Sequence, residues 1–270
     1  MKTIYYTFLI CMITFFSCSN ATPSTDPIPD HQTFKIQSKR VNEERTINVW
    51  VPKDYDTSNL SYPVIYMADG GIKEDFPHMA NTIMELIATN KIKPVLLVGI
   101  ENTERRRDLT GPTSVEKDKE IAPIVGGSAN FRAFINDELF PEINKRYRTS
   151  TVRTLIGESV AGLFVMETLI KEPEMFDHYI AFDPSLWWNN NSLVSTIKIN
   201  PIQHFKTPKR LWFAGSSAKD IYPSTRELNQ ILNQQKPSNL KWLYSDEPKE
   251  KHNTIFRATK EKALIWMLNP

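Results

Sequence analysis

A serine, a histidine and the turn that carries the serine are the residues best placed to do chemistry. The run Ile156-Gly157-Glu158-Ser159-Val160-Ala161-Gly162 follows the strand-like Arg153-Thr154-Leu155-Ile156 and opens a helical pattern from Val160 to Lys171. A serine on so tight a strand-to-helix turn projects its hydroxyl above the sheet, provided its neighbours are small. A hydroxyl is a poor nucleophile until a base takes its proton. In hydrolases built on this turn the partners follow in the order serine, acid, histidine. Of the five histidines, His178, His204 and His252 come after Ser159, and His178, just before the strand-like Tyr179 to Phe182, comes too early in the chain for the base. His204 precedes the strand-like Leu211-Trp212-Phe213-Ala214. His252, in Glu250-Lys251-His252-Asn253-Thr254, lies past the last predicted strand, where a sheet delivers its base. Ser159 is therefore expected as nucleophile and His252 as its base.

The orienting acid is expected after the penultimate strand. There Leu211-Trp212-Phe213-Ala214-Gly215 leads through Ser216-Ser217-Ala218-Lys219 to Asp220. Its carboxylate would fix the imidazole tautomer and stabilise the imidazolium. Asp246, Glu247, Glu250 and Glu227 compete for the role. An oxyanion hole needs two backbone N–H groups aimed at the developing charge. Val160, directly after the nucleophile, is expected to supply one. The glycine turn Asp69-Gly70-Gly71 is expected to supply the other from Gly71, with Gly70 one step away.

These residues need a scaffold that alternates strands with helices. Strands are predicted at Thr33 to Ser38, Arg45 to Val51, Pro63 to Met67, Pro94 to Ile100, Arg153 to Ile156, Tyr179 to Phe182, Leu211 to Ala214 and Leu240 to Tyr244. Helices are predicted at Phe76 to Ile87, Phe131 to Tyr147, Val160 to Lys171 and Thr259 to Leu268. That alternation implies an α/β fold with a mostly parallel central sheet covered on both faces. The polar stretch Glu101 to Gly127 is long for an idle loop and is expected to serve function. The chain has 270 residues, enough for one full domain and awkward for two.

The first residues read as an address. Met1-Lys2, the apolar run Ile4 to Phe16 and Ser17-Cys18 have the form of an export signal too short for a permanent span. Phe15-Phe16-Ser17-Cys18 is similar to a bacterial lipobox, so a lipid anchor at Cys18 in the cell envelope is expected, with simple secretion as the alternative. Residues 1–18 would form the signal, 19–31 a flexible Ser/Thr/Pro/Asp-rich tether and 32–270 the hydrolase domain. Both cysteines fall in the signal segment, which excludes thiol chemistry from the mature domain. A formal net charge of +2 and one short basic cluster, Arg105-Arg106-Arg107, give no reason to expect a nucleic-acid partner. No group has metal-ligand spacing, and no cofactor is expected.

Several strings resemble one family. Tyr62-Pro63-Val64-Ile65-Tyr66-Met67-Ala68-Asp69-Gly70 is similar to its YPVLYLLDG signature. Arg107-Asp108-Leu109-Thr110 resembles its R-D-L-T-P loop, with Gly111 before Pro112. Asp183-Pro184-Ser185-Leu186-Trp187-Trp188-Asn189 resembles its SPSLWW segment. The chain thus resembles the putative esterase family of α/β-hydrolases, which includes siderophore esterases, feruloyl esterases and mycolyltransferases. The resemblance runs from about Phe34 to the C-terminus and departs at Glu158, where a histidine is common, and at Ala161, where a glycine is. It implies an α/β-hydrolase fold, a triad of Ser159, an acid near Asp220 and His252, and an oxyanion turn at Asp69-Gly70-Gly71. Arg107, Trp187 and Trp188 are the expected substrate-binding residues, the flat indoles suiting catechol or sugar rings.

The expected activity is hydrolysis of carboxylic esters through an acyl-enzyme on Ser159. Siderophore trilactones and carbohydrate-linked acetyl or feruloyl esters are the substrate groups in view. A membrane-tethered binding module that keeps the fold without catalysis is one alternative, and acyl transfer to a sugar alcohol another.

Overall fold

Apolar residues in the strands alternate, and the folded sheet sorts them onto two faces. The computed structural model of the chain describes residues 26–199 and 204–269. The expected signal segment, Cys18 and the tether before Asp26 lie outside the described residues. In chain order the strands are β1 (Gln32–Ser38), β2 (Glu43–Trp50), β3 (Tyr62–Ala68), β4 (Leu96–Ile100), β5 (Thr149–Glu158), β6 (His178–Phe182), β7 (His204–Gly215) and β8 (Ser238–Asp246). They form one sheet in the order β1-β2-β4-β3-β5-β6-β7-β8. β2 runs antiparallel to both neighbours, and every pairing from β4 through β8 is parallel.

The helices are α1 (Phe76–Ala88), α2 (Arg105–Leu109), α3 (Glu116–Ile121), α4 (Ser128–Phe134), α5 (Phe140–Arg146), α6 (Val160–Lys171), α7 (Trp188–Ile199), α8 (Tyr222–Gln235) and α9 (Ile255–Leu268). α1 and α9 cover one face, packing on Ile65, Met67, Leu97, Ile156, Ile180, Phe182 and Trp212. The alternate residues Val64, Tyr66, Leu96, Leu155, Tyr179, Leu211 and Phe213 face the other way, against Phe131 and Phe134 of α4, Phe164 of α6 and Leu228 of α8. Period-two burial on both faces is what a covered parallel sheet requires.

The eight predicted strands are all present. The predicted helix from Phe131 to Tyr147 is α4 and α5 joined by a π-helical turn, Ile135–Leu139. Pro141 in α5 has no N–H to return to the preceding turn, which accounts for the break. α7 and α8 were not predicted: Asn189, Asn190 and Asn191 all have left-handed backbone, and α8 buries few apolar side chains. The long polar loop holds α2 and α3.

The final residues of the expected tether are held against the domain. Asp26 pairs with Arg257 of α9 at 2.5 Å, and the Asn81 amide of α1 donates to the Pro27 carbonyl at 2.7 Å. His31 packs its ring edge-on to Phe76 at 5.3 Å.

Because β3, β5, β6, β7 and β8 are parallel, the loops leaving them open on the same edge of the sheet. That edge receives the turn at Asp69, Ser159, Asp183, the loop holding Asp220 and the loop holding His252, in keeping with the general placement of sites in such sheets.

Candidate active site

The turn between β5 and α6 places Ser159 by force of packing. Its backbone sits at φ 58°, ψ −118°, a conformation L-residues rarely hold. Ser159 N–H donates to the Phe182 carbonyl at 2.9 Å, and the Ser159 carbonyl accepts from Leu163 at 2.9 Å and Ser185 at 3.0 Å. Gly157 is obligatory here: a Cβ on it would lie 2.6 Å from the Ala161 backbone and 2.8 Å from the Ala161 Cβ. The glycine thus makes the room that Ala161 uses, and the departure from glycine at that position leaves the turn intact.

His252 arrives on the loop between β8 and α9. Its Nε2 accepts from the Ser159 hydroxyl at 3.0 Å, while its Nδ1 donates to Asp183 Oδ2 at 2.7 Å. Asp183, not Asp220, therefore holds the imidazole. Asp183 directly follows β6 in a left-handed conformation, its N–H donating to the Ala214 carbonyl at 3.0 Å. Its carboxylate is fully buried and accepts from Ser216 N–H at 2.6 Å and the Ser216 hydroxyl at 2.7 Å. Asp220 stands exposed on the rim of the same pocket and reaches His252 only through longer-range charge. With Nδ1 already met by a buried, doubly supported carboxylate, Asp220 has no bond left to make.

The Asp183 hydrogen bond raises the His252 pKa above its ordinary value of 6.5; burial works against it, and the Asp183, Glu158 and Asp220 charges add to the rise. Glu158, beside the nucleophile, is pushed up to about 7, chiefly by burial and then by Asp75. Asp75 itself rises to about 6 through burial and the neighbouring Asp69.

A pocket of about 150 Å³ opens over Ser159, lined by Val160, His252, Ser185, Trp187, Trp188 and Arg105 among others. Arg106, Thr110 and Ile121 close it from the long loop. Trp188 is buried and donates through Nε1 to the Gly111 carbonyl at 3.1 Å, whereas Trp187 stays partly open. Both tryptophans meet the expectation of pocket walls. Arg107 does not. Its guanidinium donates to Asp108 at 2.7 Å and to Glu43 at 2.6 Å, turned away into an ion cluster with the buried Arg45. Arg105 and Arg106 face the pocket instead, and Arg105 is clamped on Asp69 by bonds of 2.5 and 2.8 Å.

The two expected oxyanion donors are placed differently. Val160 opens α6 beside the nucleophile, and a first-turn N–H has no carbonyl within its helix. Gly71 is not available: its N–H donates to Glu74 Oε2 at 2.7 Å. The Gly70 N–H donates to the Ile100 carbonyl at 3.0 Å.

Comparison with known proteins agrees with this architecture. The family model described as Putative esterase matches residues 38–264. The chain belongs to the Putative esterase family. Among curated relatives of this esterase is the ferri-bacillibactin esterase BesA of Bacillus subtilis, 26% identical, with 93% of this chain and 94% of that one covered. The siderophore triacetylfusarinine C esterase of Aspergillus fumigatus is 27% identical over 72% of this chain and 70% of its own. Among solved structures, the IroE-like serine hydrolase from Shewanella oneidensis superposes with a TM-score of 0.79 at 26% identity, covering 88% of this chain and 79% of that chain. The esterase thus has an α/β-hydrolase fold and acts on esters.

Proposed function

We propose that this esterase cleaves siderophore-type carboxylic esters through an acyl-enzyme on Ser159. The observation that carries the reading is the continuous line of hydrogen bonds from Ser159 Oγ through His252 to Asp183. As Ser159 Oγ bonds to the acyl carbon, its proton passes to His252 Nε2 and the carbonyl π pair moves onto oxygen. Collapse re-forms the carbonyl and breaks the bond to the alkoxy oxygen, which takes the proton from His252. Water then repeats the sequence and frees the acid. Asp183 stays ionised throughout and stabilises the imidazolium.

The substrate class is supported by the relatives, two of which are described as esterases of siderophores. It is also supported by the pocket, where Trp187 and Trp188 offer flat faces and Arg105 and Arg106 offer cations. Rings with anionic oxygens suit that lining. The site is proposed to work outside the cytoplasm, on a domain anchored at Cys18; metabolic labelling with a fatty acid, lost in Cys18→Ala, tests the anchor.

The deciding experiment is turnover of a small ester panel by the full chain beside Ser159→Ala. The panel pairs p-nitrophenyl butyrate with a catecholate trilactone and methyl ferulate. Turnover absent in the variant, with the trilactone preferred, is the expected result. Retained turnover in Ser159→Ala would overturn the mechanism, and preference for the ferulate would overturn the substrate class.

A further inference from the structure

The nucleophile has a second hydroxyl beside it. Ser185, in the loop leading into α7, places its Oγ 3.4 Å from Ser159 Oγ. Ser185 is 2% exposed, and Ser159 Oγ is the one hydrogen-bond partner of its hydroxyl among the described residues. A separation of 3.4 Å is longer than a strong hydroxyl bond, so the Ser185 donor is close to the reacting atom without being committed to it.

The backbone fixes its position. Ser185 N–H donates to the Ser159 carbonyl at 3.0 Å, and the Ser185 carbonyl accepts from Trp188 N–H at 3.1 Å. Ser185 is therefore tied to the same turn that aims the nucleophile, and it lines the same pocket as Val160 and His252. The glycine turn offers no competing donor, since Gly71 N–H is held by Glu74 and Gly70 N–H by Ile100. Nε and Nη2 of Arg105 are likewise engaged on Asp69.

Resting on the serine-esterase reading above, we infer that the Ser185 hydroxyl is the second oxyanion donor, acting with the Val160 N–H. In the resting enzyme it turns toward Ser159 Oγ. When that oxygen bonds to the acyl carbon, the carbonyl oxygen stands two bonds away and gathers the negative charge. The Ser185 hydroxyl then rotates onto it. This donor needs no movement of the backbone, which suits a preorganised electrostatic role.

The test is kinetic and uses the full chain with p-nitrophenyl butyrate as substrate and butylboronic acid as a mimic of the tetrahedral intermediate. Ser185→Ala should lower kcat by about 10²- to 10³-fold, the loss typical of a missing oxyanion donor. KM should stay within about threefold of the parent and the acid limb of the pH profile should not move, as expected for a donor that acts only in the transition state. The boronic acid should lose affinity in step with kcat. Ser185→Cys keeps the volume, weakens the donor and gives the same sense of change if the alanine variant does not fold. Turnover of Ser185→Ala within threefold of the parent, with Ser159→Ala inactive, would overturn this inference while leaving the esterase reading standing. Turnover surviving in Ser159→Ala would instead bring down the esterase reading itself.

Discussion

Asp183 Oδ2 lies 2.7 Å from Nδ1 of His252, bringing together residues 69 apart in the chain. The end of β6 thereby orients a base delivered from beyond β8. Serine, acid and histidine still follow one another in chain order, so the arrangement meets the expected sequence with a different strand supplying the carboxylate.

Asp183→Asn should lower kcat by about 10³- to 10⁴-fold, because an amide in that place favours the wrong imidazole tautomer. Asp220→Asn should change kcat by less than about threefold. Steady-state turnover of p-nitrophenyl butyrate by the two variants checks the assignment, and the reverse ranking would return the acid to Asp220.

The base must be neutral to accept the Ser159 proton, so kcat/KM falls as pH drops through the His252 pKa. That pKa is raised, first by Asp183 and further by the Glu158 charge. The acid limb should therefore lie above 6.5. Glu158→Gln removes one source of the rise and should move the limb to lower pH. A limb that stays in place in this variant would show that the two groups do not communicate.

Glu158 also links pH to stability. With a folded-state pKa raised from 4.5 to about 7, its protonated form favours the native state. That contribution is full below 4.5 and is lost as pH rises through 7. Glu158→Gln should accordingly raise Tm by several degrees at pH 8 and leave it nearly unchanged at pH 4, as read by differential scanning calorimetry.

The elbow predicts opposite tolerances at two small residues. Gly157→Ala would drive a methyl to 2.6 Å from the Ala161 backbone and should cost 3 kcal/mol or more, or abolish folding. Ala161→Gly removes a methyl from a helix and should cost only about 1 kcal/mol. Urea unfolding of the two variants separates them.

Arg107 and Arg106 should likewise part company. Arg107→Ala leaves the buried Asp108 carboxylate short of a partner and should destabilise by about 1–3 kcal/mol, with KM within twofold. Arg106→Ala, at the pocket wall, should leave Tm unchanged and raise KM for a catecholate trilactone several-fold. Equal effects of both variants on KM would restore Arg107 to substrate binding.

Strands, sheet type and the pairing of Ser159 with His252 were legible because each leaves a local mark. Buried strands are continuous apolar runs, and Gly157-Glu158-Ser159 stands where a strand becomes a helix. The acid left a fainter one. Asp183 directly after Tyr179-Ile180-Ala181-Phe182 is a carboxylate at the mouth of a buried strand, but only the fold shows that Ser216 on β7's loop supports it and that His252 comes to meet it. Arg107 misled for a related reason. Three consecutive arginines differ only in which way a short helix turns them, and the buried Arg45–Asp108 pair that settles it joins β2 to α2. Gly71 was a sound expectation from backbone freedom, but occupancy of its N–H by Glu74 depends on the turn's own fold.

For an enzyme anchored at Cys18 as proposed, the contact between Asp26 and Arg257 would set the length of the leash. Counted from Cys18 to the start of β1, thirteen residues would let the enzyme roam about 45 Å from its lipid. With the chain already pinned to α9 at Asp26, only seven residues remain, and the radius shrinks to about 25 Å. An enzyme anchored as proposed would work within roughly its own radius of the bilayer, its α1 and α9 flank turned to the lipid. It would meet substrates as they cross or skim that surface and would sample little of the open compartment beyond it.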